Sequence, residues 1–210
     1  MATKKIEHPD AKTLRELLIT SGSKGGELGA RVLVGGMAVD SYRALYGISS
    51  EVPNLTRDID YFGGRADIDD AAKLLKDAGE KIKIFVATMD DHTPNSGKIA
   101  VYREGMEPIE IDFLYRINNV SDDDIVSAAL TLTIDGNEVR VVNPLILMEM
   151  KIGNLAFFPS KRDAEGVDQA RIAVAVTRRY LEDFINSKHF ERRRLLDQVE
   201  RIIRFSARDA

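Results

Sequence analysis

The chain contains no cysteine. That excludes disulfides, thiolate nucleophiles and cysteine-ligated zinc, and it fits a reducing compartment. Histidine is sparse: His8, His92 and His189 stand far apart without metal-ligand spacing, so none is given a role. No apolar run approaches the roughly 18 residues of a membrane-spanning helix. The opening residues, Met1 to His8, hold no apolar stretch of the kind a signal peptide needs. These absences predict a cytoplasmic protein with no membrane partner. Repeats and low-complexity tracts are lacking too. What remains is an ordinary globular composition of 210 residues, 44% hydrophobic and 30% charged. That length suffices for one large domain or two small ones sharing a core.

The net charge of -4 hides an asymmetry. From Arg171 to Ala210 the chain carries ten Lys/Arg against six Asp/Glu, while everything before it is acidic. An acidic body suits divalent metal, and a basic end suits an anionic partner. Arg192-Arg193-Arg194 reads first as a solvated helix face, with a grip on an RNA backbone as the functional alternative.

Periodicity divides the chain into strands first and helices last. Helical spacing marks 11–20, 37–45, 67–78, 145–157, 167–184 and 192–205. Strand patterns mark 31–34, 57–62, 81–88, 98–103, 109–115, 130–134 and 139–142. Asp135-Gly136 is a hairpin turn dipeptide, and Gly105 lies in a second hairpin turn. Ser21 to Gly26 reads as a flexible break, and Glu51 to Asn54 as a loop that Pro53 keeps irregular. The pattern predicts an α+β fold: a mixed sheet flanked by helices, with a helical C-terminal subdomain. The division falls at 1–143, a core with an N-terminal helix, and 144–210.

The chemistry concentrates in three places. Asp58 and Asp60 lie two apart in a strand pattern, which puts both carboxylates on one face. Two such charges repel unless a cation sits between them, and Mg²⁺ takes oxygen ligands of this kind together with substrate phosphates. Asp112 occupies the same position in the alternating run Ile109-Glu110-Ile111-Asp112-Phe113-Leu114. Gly35-Gly36 ends the buried run Val32-Leu33-Val34 and opens a helix, where backbone amides can approach a phosphate. The turn is neither a Walker motif nor a dinucleotide-binding fingerprint. A phosphate-cradling turn plus three strand-borne carboxylates is what metal-dependent nucleotidyl transfer needs.

Val34-Gly35-Gly36-Met37-Ala38, then Asp58-Ile59-Asp60, then Asp112 in its own apolar strand, resembles the DNA polymerase β-type nucleotidyltransferase superfamily. The gap from Gly36 to Asp58 is longer than that family's commonest spacing. Val142-Asn143-Pro144 through Lys151, and Lys161-Arg162-Asp163 followed by Asp168, are most similar to the abortive-infection (AbiEii-type) nucleotidyltransferases. The resemblance covers roughly 31–174. It implies catalytic and metal-holding roles for Asp58, Asp60 and Asp112, with Mg²⁺ or Mn²⁺ as cofactor. It implies nucleotide contacts from Gly35, Gly36, Arg57, Lys151 and Asp168. The expected enzyme moves a nucleoside monophosphate from an NTP to a hydroxyl of tRNA or protein, as a toxin or defence factor with a possible antitoxin partner. The alternatives are transfer to an aminoglycoside or lincosamide antibiotic, and a non-catalytic nucleotide-binding regulator.

Overall fold

Alternating apolar residues and a few decisive turns assemble a single mixed sheet. The computed structural model describes residues 9–22, 31–52, 56–88, 91, 93–117, 120–187 and 192–206. Of the break expected at Ser21 to Gly26, Ser21 and Gly22 instead continue the first helix, and 23–26, the Pro53-Asn54 loop and all three histidines lie outside the described residues. The described strands are β1 (Val32–Val34), β2 (Ile59–Phe62), β3 (Lys81–Val86), β4 (Asn95–Tyr102), β5 (Ile109–Leu114), β6 (Leu130–Ile134) and β7 (Asn137–Val141). Their order across the sheet is β3-β4-β5-β2-β1-β7-β6. β2 is parallel to β5 and β1 to β7, and the remaining pairs are antiparallel. The helices are α1 (Ala11–Gly22), α2 (Gly35–Tyr46), α3 (Arg65–Asp77), α4 (Asp122–Ser127), α5 (Pro144–Phe157), α6 (Ala164–Asn186) and α7 (Arg192–Ser206). A single 3-10 turn, Pro159–Lys161, joins α5 to α6. The architecture is the expected α+β mixture. Among the described residues no helix is long and apolar enough to cross a membrane.

The two faces of the sheet differ. Ile109, Ile111 and Phe113 of β5 are fully buried, together with Ile59, Tyr61, Ile99 and Val101 of its neighbours. α1 and α3 cover this face with Leu14, Leu17, Leu18, Ile68 and Leu75, all buried. Each such aliphatic side chain contributes about 1.5–3 kcal/mol on leaving water. The Tyr61 hydroxyl donates to the Leu18 carbonyl at 3.1 Å, which satisfies the buried phenol. The opposite face carries Asp60, Glu110 and Asp112, and α2, α5 and α6 gather at its β1 side. Thr177 Oγ1 donates to the Pro144 carbonyl at 2.9 Å, tying α6 to the start of α5. α7 is held by Arg201, whose guanidinium donates to both Glu149 oxygens at 2.6 and 2.9 Å and to Asp124 at 2.8 Å.

Local chemistry explains where elements begin. Asp135 and Gly136 both take positive φ, 49° and 80°, as a two-residue hairpin turn requires. Asn143 caps α5 by accepting from the Leu145 amide at 2.9 Å, with Pro144 at the first helical position. Asp163 caps α6 from the Gly166 amide at 2.8 Å, so that helix starts earlier than its apolar spacing suggested. β2 starts two residues later than expected. Thr56 Oγ1 donates to the Asp58 carbonyl at 3.0 Å and curls 56–58 into a local turn before the ladder begins. β4 starts three residues earlier, because Asn95 and Gly97 pair with β5 across a register shift. The short α4 was not anticipated from its acidic sequence.

Candidate active site

β2 and β5 run parallel with Asp60 directly opposite Asp112. Their carboxylates therefore share one face on adjacent strands. β1 lies on the other side of β2, with Val34 opposite Asp60, so the glycine turn opens immediately beside that carboxylate. Gly35 sits at φ 66°, and a Cβ there would overlap the Asp60 carboxylate. Only glycine fits both the left-handed backbone and the close approach. The Gly36 amide donates to Asp60. Thr56 packs against Gly36, where an added Cβ would lie 2.5 Å from the threonine Cβ.

Burial raises the pKa of all three acids, and neighbouring carboxylates add to it at Asp58 and Asp112. Burial pushes Asp60 above the ordinary carboxylate range, against the pull of Lys151, Lys161 and the Gly36 amide. Burial, then Asp60 and Glu110, push Asp112 up to about 6. Burial, then Asp60 and Glu110, also raise Asp58, which stands exposed at the entrance to β2. Asn95 Nδ2 donates to Asp112 at 3.0 Å and fixes that carboxylate. Lys98 Nζ reaches Glu110 at 2.5 Å beside it.

Lys151 comes from α5 and is buried. Its ammonium donates to Gln169 Oε1 of α6 at 2.6 Å. Burial lowers its pKa to about 8, although Asp60 opposes the shift. Gln169 in turn donates to Glu165 at 3.1 Å. The structure thus gathers Gly35, Gly36, Asp58, Asp60, Asp112 and Lys151 at one end of the sheet. Arg57 is exposed beside Asp58. Asp168 takes up a different position, with its carboxylate accepting from Ser50 Oγ at 2.8 Å, from the Glu51 and Val52 amides at 2.9 and 3.2 Å, and from Arg171. Lys161, Gln169, Lys98, Glu110 and Asn95 surround the acids and were not singled out as site residues. Lys161 and Glu110 stand within the sequence motifs of the acids; Gln169, Lys98 and Asn95 emerge only from strand register and helix packing.

The donors suit a hard cation: carboxylates that are partly desolvated and repel one another are what an oxygen-preferring ion relieves. Among the described residues no three His, Asp or Glu side chains close into a metal-holding group by themselves. A cavity of about 430 Å³ lies elsewhere, between α1, α2 and β6, lined by Leu14, Leu18, Met37, Asp40 and Leu132. It includes none of the three acids.

No family model matches the sequence, and no curated protein matches it. Solved structures do match. The chain is similar to the Megavirus polyadenylate synthase, with a TM-score of 0.50 and 12% identity over 84% of this chain and 37% of that one. The likeness is one of fold, an α+β mixed sheet flanked by helices. The chain is also similar to the antibiotic-resistance factor ANT(2'')-Ia, with a TM-score of 0.46 and 12% identity over 86% of this chain and 97% of that one. A similarity to the lincosamide antibiotic adenylyltransferase LnuA has a TM-score of 0.40 and 16% identity over 70% and 87% of the two chains. Asp58 and Asp60 stand at the start of β2 and Asp112 within β5, next to the glycine turn that follows β1.

Proposed function

We propose that this protein is a metal-dependent nucleotidyltransferase, moving a nucleoside monophosphate from an NTP to an acceptor hydroxyl. One observation carries the reading: Asp60 and Asp112 stand opposite each other on parallel strands, beside a glycine turn that only glycine can make. Asp58, Asp60 and Asp112 would hold Mg²⁺ or Mn²⁺. When bound, such an ion would supply charge neutralisation for the triphosphate and Lewis-acid polarisation.

The chain's own groups do the rest. The glycine turn at the start of α2 lets the phosphate chain approach the backbone. Lys151, fixed by Gln169, supplies a buried positive charge next to Asp60. Asp112, opposite Asp60 on the adjacent strand, would take the acceptor's proton. The acceptor oxygen bonds to the α-phosphorus, the bond from that phosphorus to the bridging oxygen breaks, and pyrophosphate leaves. Positioning and charge neutralisation supply most of the acceleration.

The test incubates α-labelled NTPs with Mg²⁺ or Mn²⁺ and acceptor mixtures of RNA, protein and antibiotics. Wild type should transfer label and release pyrophosphate, and Asp112→Asn should lose at least about 100-fold in rate. Undiminished transfer by Asp112→Asn and by Asp60→Asn would refute the assignment.

A further inference from the structure

The row of acids does not stop at Asp112. Lys98 of β4 lies opposite Asp112, and Phe85 of β3 lies opposite Lys98. Phe85, Lys98, Asp112 and Asp60 therefore form one line across four strands, all on the same face. With strands about 4.8 Å apart, Phe85 stands about 10 Å from Asp112 along that line. A second line runs from Lys83 through Ala100 to Glu110, and a third pairs Lys81 with Tyr102. Lys81 and Lys83 are exposed, and so are the aromatic residues Phe85, 38%, and Tyr102, 43%. The Lys83 ammonium lies 4.7 Å from the Phe85 ring centre and that of Lys98 lies 5.8 Å away.

Lysines on an edge strand are a common guard against unwanted strand pairing. That accounts for Lys81 and Lys83. It does not account for two exposed aromatic rings on the same face, nor for a line of side chains leading directly to the acids. Aromatic rings flanked by cations, open to solvent, are what unpaired bases and their phosphates bind. A cationic acceptor would meet Lys81 and Lys83, and Lys98 in its ion pair with Glu110, on its way to the acids.

We propose that this open face holds the acceptor, and that the acceptor is a single-stranded polynucleotide whose terminal hydroxyl points toward Asp112. Phe85 stacks a base, while Lys81, Lys83 and Lys98 face the phosphates. This rests on the transferase reading and names the substrate class for it. The bond changes are those of the transfer step above, with the strand's terminal oxygen as nucleophile.

The test measures binding of fluorescein-labelled ten-nucleotide single strands, RNA and DNA in separate arms, by anisotropy over a series of salt concentrations. A blunt duplex of the same length is the control, and binding of labelled NTP with Mg²⁺ is followed in parallel. Phe85→Ala should weaken single-strand binding about 5- to 100-fold, and Phe85→Trp should retain it. Lys81→Glu with Lys83→Glu should weaken it and flatten the salt dependence by about 1.4 in the log–log slope. All of these variants should bind NTP like wild type, because none of the altered side chains belongs to the proposed nucleotide site. Single-strand binding indifferent to these changes, or absent while NTP still binds, would overturn the acceptor platform and leave the transferase reading intact. Preference for the duplex would overturn it as well. Absence of NTP binding in wild type would remove the transferase reading, and the acceptor role with it.

Discussion

At the scale of single residues, the site is a set of charges that the fold alone does not satisfy. Asp112 shows this best. Burial, with Asp60 and Glu110 close by, raises its pKa to about 6. A raised carboxylate pKa means the folded protein holds that proton more tightly than the unfolded chain does. Its stabilising effect is therefore present below about pH 4 and is lost as pH rises through about 6. At neutral pH the ionised group costs at most about 3 kcal/mol in the metal-free protein. Asp112→Asn removes that cost. The metal-free variant should melt a few degrees above wild type at pH 7.5 and keep only about a third of that gain at pH 4.5, by calorimetry at both values. Adding Mg²⁺ with NTP should stabilise wild type and leave the variant nearly unmoved. A variant less stable than wild type at pH 7.5 would mean that the Asn95 contact, and not charge repulsion, governs this position.

At the scale of elements, much was legible because the relevant signals are local. Alternation in Ile109 to Leu114 placed Asp112 opposite the core, Asp135-Gly136 announced its turn, and Asn143-Pro144 announced α5. Register was not legible. Nothing in the sequence near Asp60 says that residue 112 lies opposite it, or that Lys98 and Phe85 continue the line, since those pairings join distant strands. Asp168 is the sharpest case. The family resemblance implies a nucleotide contact, yet its buried carboxylate spans from α6 to the Ser50–Val52 loop. Burial alone would raise its pKa, but the Ser50 hydroxyl, Arg171 and the two loop amides hold it below the usual range. That loop leads toward Thr56 and Asp58, so α6 is pinned to the chain segment that enters the site. Asp168→Asn should cost about 2–4 kcal/mol, because charge-assisted hydrogen bonds at a buried site are lost together. A depressed pKa contributes stability above the ordinary carboxylate range and loses it in acid. The gap between wild type and variant in urea unfolding should accordingly narrow below about pH 4. Unchanged stability with weakened NTP binding would instead support the nucleotide role.

At the scale of the whole molecule, helices and sheet bring together two groups whose pKa values have moved toward each other. Asp112 rises to about 6 on the sheet, and Lys151 falls to about 8 on α5. Burial is the first cause of both shifts. Transfer needs the carboxylate ionised and the ammonium protonated, so activity should climb as pH rises through about 6 and decline as it passes about 8. A bell-shaped dependence of kcat/KM follows, its limbs belonging to the coupled site as a whole. The limbs can be told apart. Protons and metal compete for the same carboxylates, so raising Mg²⁺ should move the acid limb to lower pH and leave the basic limb in place. Lys151→Arg places a guanidinium that stays charged throughout this range, although it cannot reproduce the compact ammonium held by Gln169. The variant should lose maximal rate and lose the basic limb with it. A Lys151→Arg enzyme that still declines near pH 8 would show that another group sets that limb. The buried lysine would then serve α5–α6 packing alone.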